Sequence, residues 1–330
     1  MDNPNGSQRY YIGHVDWTGF NGLVEYTGSE NFSAVVQFGS SSQTYQWEGF
    51  YTAAPSTKSR KITVDGGYIK GGANYRMNRN SNIFFNVGQI MRPPSFDGVF
   101  PNADYDFEEA DDITNESFTS FELGYGYISS NFKANINAYH TVWGDRTLRR
   151  STSIDDQGVR IIYDGVEQTH QGIEAEMTWY PSNRLRIRGM ASIGDWKYSK
   201  NFDGDAYFID NNQPAGTTGT LYLDGVKIGD AAQSVLYIGA DYKLSSKLSM
   251  DLDVMSFDNL HGRFGPLDSE FNSANNRGSI KLPSWGTVDL GATYRTTLFG
   301  YDTTARLNVN NLLDEEYICL LYTSDAADES

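Results

Sequence analysis

The sequence predicts an all-β chain: a transmembrane, antiparallel, up-and-down β-barrel wall of about twelve strands. Three observations carry that prediction. Apolar and polar residues alternate with a period of two in segment after segment. The connections between those segments alternate between short turns and long polar loops. The segments are also longer than the roughly 5–6 residues usual for soluble strands.

Along the chain, the short turns come first. Tyr26 to Phe32 passes through Gly28, Ser29 and Asn31, and similar polar turns join Tyr75 to Ile83 and Tyr127 to Phe132. Further turns join Tyr180 to Leu185, Tyr242 to Leu248 and Tyr294 to Tyr301. Gly, Asn, Ser and Pro suit such hairpins through permissive or preset backbone angles. Between these turns the connections are long and polar, at about residues 93–117, 150–158, 200–233 and 258–283. Six hairpins give about twelve strands, with every short turn at one end of the sheet and every long loop at the other.

The strands themselves alternate. Phe132, Ala134, Ile136, Ala138 and Val142 are apolar, and Lys133, Asn135 and Asn137 between them are polar. Ile173, Ala175, Met177 and Trp179 alternate with Glu174, Glu176 and Thr178; Leu185, Ile187 and Ile193 oppose Arg186, Arg188 and Ser192. Leu248 to Val254 and Ala305 to Val309 repeat the pattern. Phe132 to Val142 would span about 36 Å at roughly 3.3 Å per residue. Tilted by about 45°, such a strand crosses about 25 Å, the height of a barrel's apolar band. Tyr and Trp beside the short turns fit an interfacial aromatic girdle. An Arg facing lipid at mid-depth costs roughly 2–4 kcal/mol, so Arg186 and Arg188 are expected to face the lumen. The same holds for Lys133, Glu174, Glu176, Asp251 and Asp253.

Composition narrows the function classes. No linker divides the 330 residues, and no stretch approaches the roughly 18 apolar residues of a membrane helix. A formal net charge of −16 argues against a nucleic-acid partner. The single cysteine, Cys319, forms no internal disulfide and makes a thiolate metal site improbable. The first residues, MDNPNGSQRYY, show no basic region followed by an apolar core, so either the protein is cytosolic or its N-terminal part is missing.

No catalytic or metal constellation emerges, and no cofactor is implied. His14, His140, His170 and His261 lack paired ligand spacing and read as girdle or lumen residues. The acidic run Asp104, Asp106, Glu108, Glu109, Asp111, Asp112 lacks the order of a calcium loop and reads as solvated. Arg146, Arg149 and Arg150 would meet an anionic ligand or line a positive rim. Tyr105, Phe107, Tyr207, Phe208, Tyr222 and Phe264 would capture ligand in the loops or pack the loops together. The six residues singled out for ligand contact are Tyr105, Phe107, Arg146, Arg149, Tyr207 and Phe208.

Several stretches resemble the C-terminal β-barrel part of TonB-dependent outer-membrane receptors, especially of the Bacteroidetes type. They are Gly71-Gly72-Ala73-Asn74-Tyr75 through Asn86-Val87-Gly88, then Arg92-Pro93-Pro94-Ser95-Phe96 and Val99-Phe100-Pro101-Asn102. Phe121-Glu122-Leu123-Gly124-Tyr125, Trp143-Gly144-Asp145-Arg146-Thr147-Leu148 and His170-Gln171-Gly172-Ile173-Glu174 follow, with Gly194-Asp195-Trp196-Lys197-Tyr198. Val309-Asn310-Asn311-Leu312-Leu313-Asp314-Glu315-Glu316-Tyr317 closes the series as a penultimate-strand signature. The resemblance implies a barrel of about 22 strands filled by an N-terminal plug that binds TonB. It also implies outer-membrane lipids as surroundings and a bulky, scarce nutrient, most often a ferric siderophore, as ligand. About twelve strands cannot close such a barrel, so residues 1–318 are expected to form part of the barrel, with the plug absent. The remainder, 319–330, includes CLLYTSDAADE, resembles a translated sequencing adapter, and is expected to be non-native. Alternative readings are a passive porin, an adhesin barrel, or a soluble all-β carbohydrate-binding or hydrolytic module.

Overall fold

The computed structural model describes residues 11–50, 57–100, 109–110, 113–154, 156–208 and 213–318. One 15-stranded sheet contains every strand. In chain order these are β1 (Tyr11–Tyr26), β2 (Phe32–Gly49), β3 (Thr57–Lys58), β4 (Ile62–Arg76) and β5 (Ser81–Arg92). After a one-turn helix, α1 (Phe96–Val99), come β6 (Glu116–Ile128), β7 (Phe132–Ile154), β8 (Gln157–Ser182) and β9 (Leu185–Tyr198). The last six are β10 (Phe202–Phe208), β11 (Pro214–Leu221), β12 (Ser234–Lys243), β13 (Leu248–Asp258), β14 (Trp285–Leu298) and β15 (Tyr301–Val309).

The main path runs β1-β2-β4-β5-β6-β7-β8-β9-β12-β13-β14-β15, with each strand antiparallel to the next on that path. That is the expected twelve-strand meander, and its six tight turns fall where the sequence places them. Among the described residues β1 pairs only with β2 and β15 only with β14, so the sheet is open at both edges.

Register decides which side chains share a face. Thr178 of β8, opposite Lys133, lies opposite Arg188, Arg188 opposite Gly239, and Gly239 opposite Asp253. Lys133, Glu174, Glu176, Arg186, Arg188, Asp251 and Asp253 therefore all lie on one face, as desolvation cost demands. The other face carries the row Phe85, Leu123, Ala138, Ile173, Ile193 across five neighbouring strands. Leu123 (57% exposed), Ile193 (66%) and Leu307 (68%) belong to this apolar face, a sheet-wide band that only a lipid environment would leave uncovered. At its short-turn end lie Tyr26, Phe32, Tyr75, Tyr127, Phe132, Trp179, Tyr242 and Tyr294, the expected girdle. No helix of the described residues is long and apolar enough to cross a membrane, which says nothing of crossing by strands.

Two expectations change. Residues 150–158 do not form a long loop: β7 and β8 stay paired to Ile154 opposite Gln157 and turn through Asp156 at φ 63°. Beyond the lipid the ribbon packs against loop strands instead of facing lipid on one side and water on the other, with Val159 and Tyr163 buried, so the simple alternation fades while backbone pairing continues. The segment 200–233 is likewise no simple loop, because β10 pairs with the distal half of β8 and with β11. These strands and the segment after β13 enclose a core of Tyr163, Val166, Tyr198, Phe202, Leu221, Leu223, Val226 and Phe271. Phe264 packs on Tyr198 and Phe271 at 6.1 and 4.9 Å, so of the two roles open to it the structure selects loop packing. A second core of Tyr45, Trp47, Ile62, Val99 and Phe100 seats α1 on the polar face near β1 and β2.

Candidate functional site

At the long-loop end of the polar face, β6 to β9 bring four rows of side chains into register. Phe118 opposes Trp143, Trp143 opposes Gln168, and Gln168 opposes Tyr198. One step towards the short turns, Thr141, His170 and Trp196 form the next row, then Tyr139, Gly172 and Gly194, then Asn137, Glu174 and Ser192.

The rings touch. Phe118 stacks on Trp143 with centroids 5.2 Å apart, and the Arg92 guanidinium lies 5.3 Å from the Phe118 centroid. Trp143 Nε1 donates to Glu116 Oε2 at 3.1 Å, and Glu116 also pairs with Arg92. Asp145, at φ 57°, forms a bulge that breaks the alternation of β7 between Trp143 and Arg146. The bulge re-aims Arg146 so that its guanidinium lies 4.0 Å over the Trp143 ring. Trp196 Nε1 donates to the Tyr139 hydroxyl at 2.8 Å. This bond crosses the glycine pair Gly172 and Gly194, where an added Cβ would meet Tyr139 Oη and Trp196 Nε1, each at 2.8 Å. Buried Gln233 clamps the same strand: its Oε1 accepts from Trp196 N at 2.9 Å and its Nε2 donates to Trp196 O at 3.0 Å.

These side chains surround a recess of about 500 Å³ lined by Phe118, Tyr139, Trp143, His170 and Trp196, with Glu122, Glu174, Asn137, Ser120 and Thr141. Glu122 accepts from Asn86 at 2.9 Å, Glu174 from Asn137 at 3.5 Å, and Ser120 and Thr141 share a hydrogen bond of 2.7 Å. Two polar atoms at its upper wall, His170 Nε2 and Arg146 Nη1, are buried with no hydrogen-bond partner. Buried polar atoms are almost always paired, so two orphaned atoms next to the recess mark an unusual wall, which would have to shift before a ligand reached them.

Nearer the short turns, the polar face carries an ion network. Arg186 grips Asp241 with two bonds of 2.9 Å, and Arg188 bridges Asp241 and Asp253 at 3.1 and 2.8 Å. Arg306 grips Asp251 at 3.0 and 2.9 Å, and the Tyr237 hydroxyl donates to Asp253 at 2.5 Å. Gly239 and Gly291 leave room for these heads. The network satisfies its own charges and makes a wet, rigid wall.

Of the six residues the sequence singles out, Arg146 packs over the recess residue Trp143 without itself lining the recess. Arg149 lies opposite Ile162 in the distal ribbon, and Tyr207 and Phe208 lie on the other side of β8, opposite Arg160 and Val159. These three flank one stretch of β8, at least eight residues from His170, and none lines the recess. Tyr105 and Phe107 lie outside the described residues, as does the acidic run apart from Glu109, which pairs with Arg60. Residues 319–330, with Cys319, also lie outside them. Sequence reasoning gave no site role to Tyr139, His170, Trp196, Glu122 or Gln233. Their alternation was visible, but the cross-strand rows exist only once register is known. Among the described residues no group of three His, Cys, Asp or Glu side chains could hold a metal ion.

Comparison with known proteins agrees with this architecture. The family model "TonB dependent receptor-like, beta-barrel" matches residues 3–312. No curated protein sequence matches the chain. Among solved structures, the siderophore receptor PiuA from Acinetobacter baumannii aligns with TM-score 0.68 at 14% identity, covering 96% of this chain and 41% of that one. The ferric yersiniabactin uptake receptor FyuA from Yersinia pestis aligns with TM-score 0.60 at 12% identity, covering 96% and 44%. The unliganded ferric citrate transporter FecA aligns with TM-score 0.62 at 12% identity, covering 94% and 42%. The chain thus spans less than half the length of these three structures, and at such identities the likeness is one of fold. With its lipid-ready apolar face, polar inner wall and matching family model, the chain belongs to the TonB-dependent receptor-like β-barrel family.

Proposed function

We propose that residues 1–318 are part of the barrel of an active uptake receptor for a bulky, scarce nutrient, with a ferric siderophore as the leading ligand class. The observation that carries this reading is the aromatic recess at the long-loop end, with His170 Nε2 and Arg146 Nη1 buried and unpaired beside it. A ligand entering from the loop side meets stacked rings first and the self-paired ion network below. The edges of β1 and β15 would be completed by further strands, because lipid does not tolerate unpaired backbone groups. A plug carried elsewhere in the receptor would close the lumen and bind TonB, whose pull would release the ligand inward. Arg146 would back the recess through Trp143; Arg149, Tyr207 and Phe208 would present an outer contact surface on β7 and β10, and Tyr105 and Phe107 would add ligand contacts. Names borne by the structural relatives, among them siderophore and ferric citrate transporters, support the ligand class.

The test is uptake of radiolabelled iron by cells that lack other siderophore receptors and express the complete receptor gene. Siderophore-dependent iron accumulation that disappears when TonB is deleted is the expected result. Accumulation that persists without TonB would make the protein a passive pore, and no accumulation with any ferric siderophore would remove the ligand class.

A further inference from the structure

We propose that the recess filters ligands by charge, accepting a neutral or cationic chelate and rejecting a polyanionic one, with Glu122 and Glu174 as the specificity-determining residues. The inference rests on the uptake reading above and deepens it. A ring of arginines at the mouth would ordinarily suggest an anionic ligand. Here those arginines are engaged. Arg92 pairs with Glu116 and packs on Phe118, and Arg146 lies face-on over Trp143. Arg150 donates to Asn272 Oδ1 at 2.6 Å, in the packed loops outside the recess, and Arg149 has interactions of its own. Among the described residues no lysine or arginine lines the recess.

What does line it is two carboxylates, each holding only a neutral amide partner, Asn86 for Glu122 and Asn137 for Glu174. An ionised carboxylate accepts up to about four hydrogen bonds, so both retain free acceptor capacity. Beside them stand Tyr139 and Trp196, whose ring faces are electron-rich and attract cations and polarised C–H groups, next to the Phe118–Trp143 stack that Arg92 and Arg146 already cover. Acceptors and ring faces together favour a ligand that presents ammonium, amide or hydroxyl donors. A polyanion would instead face these two negative charges with no lysine or arginine among the residues that line the recess, and like-charge juxtaposition disfavours binding strongly.

The experiment uses the full-length receptor in detergent, with quenching of tryptophan emission as the binding signal and two ferric probes of similar size. One probe is a cationic ferric trihydroxamate, the other a trianionic ferric tris-catecholate. The wild type is expected to bind the cationic probe at least about tenfold more tightly. The E122Q/E174Q double variant keeps the side-chain shapes and the asparagine contacts and should erase about tenfold of that preference. Heat-dependent gel mobility checks that each variant is folded; should the double variant fail this check, single E122Q and E174Q variants each carry part of the same shift. Equal or tighter binding of the tris-catecholate by the wild type overturns the inference, as does a preference unchanged in folded variants or binding of neither probe. TonB-dependent uptake of the tris-catecholate would overturn the charge filter and leave the uptake reading standing. The predicted preference without any TonB dependence of uptake would do the reverse.

Discussion

Single residues set the geometry of the mouth. Gly172 and Gly194 are there because the Trp196–Tyr139 hydrogen bond passes directly over them. Gly172→Val should push Tyr139 aside, break that bond and raise the accessibility of Trp196, read as a red-shifted emission and stronger acrylamide quenching. Unchanged spectra would refute the role. His261 gives the loops a pH dependence. It is buried, and burial pushes its pKa below the ordinary histidine range; a hydrogen bond that it gives to the Ser279 backbone acts the other way, while Lys227 and Lys281 reinforce the fall. The folded loops thus hold this proton less tightly than the unfolded ones. Their stability is full above the unfolded-state value of about 6.5 and declines as pH falls below it. Amide protection across 259–283, corrected for the intrinsic pH dependence of exchange, should fall between about pH 7.5 and about pH 5; a flat corrected profile would remove His261 from that role. None of this was legible from a lone histidine in a polar stretch, because the buried environment comes from residues far along the chain.

At the scale of elements, the strands are two-sided and the loops are cores. Ile136 lies on the apolar face and Asn137 on the polar one. Ile136→Arg should destabilise the sheet in bilayers by roughly 2–4 kcal/mol, and Asn137→Arg by far less. Denaturant titration in lipid vesicles distinguishes the two, and equal losses would contradict the facing. The segments after β9 and β13 read as loops in the sequence, yet they bury Phe271 to 2% exposure among Tyr198, Phe264 and Leu223. Phe271→Ala should cost this cap about 3–5 kcal/mol while leaving the spanning strands intact. Exchange would then accelerate in 199–233 and 259–283 and stay slow in β12 and β13. The apolar residues of the cap were visible but irregularly spaced, so no periodicity announced a core. The NNLLDEEY stretch behaves similarly. Asn311 and Asp314 adopt positive φ, and the fold-back stacks Tyr317 on Trp285 with centroids 3.8 Å apart.

For the whole molecule, the open edges dominate. β7 and β8 are paired along both sides for most of their length, whereas β1 and β15 each have one partner among the described residues. In the isolated chain, amides of β1 and β15 should exchange fastest of all the spanning strands, and crosslinking should capture edge-to-edge oligomers. A monomer with uniformly protected edges would show that the sheet closes on itself.

Alternation, turn residues and charge placement were readable in the sequence because each is local. A side chain's face follows from counting by two, a turn from Gly, Asn and Ser, and an inward Arg from the price of desolvation. The tertiary structure alone decided which rings meet, since Phe118, Trp143, His170 and Trp196 lie on four strands whose register is set by pairing across the sheet. It also decided that Arg146 turns inward, because one left-handed residue at Asp145 overrides the count. The strand count came from the sequence; the mouth that gives those strands a task came from their register.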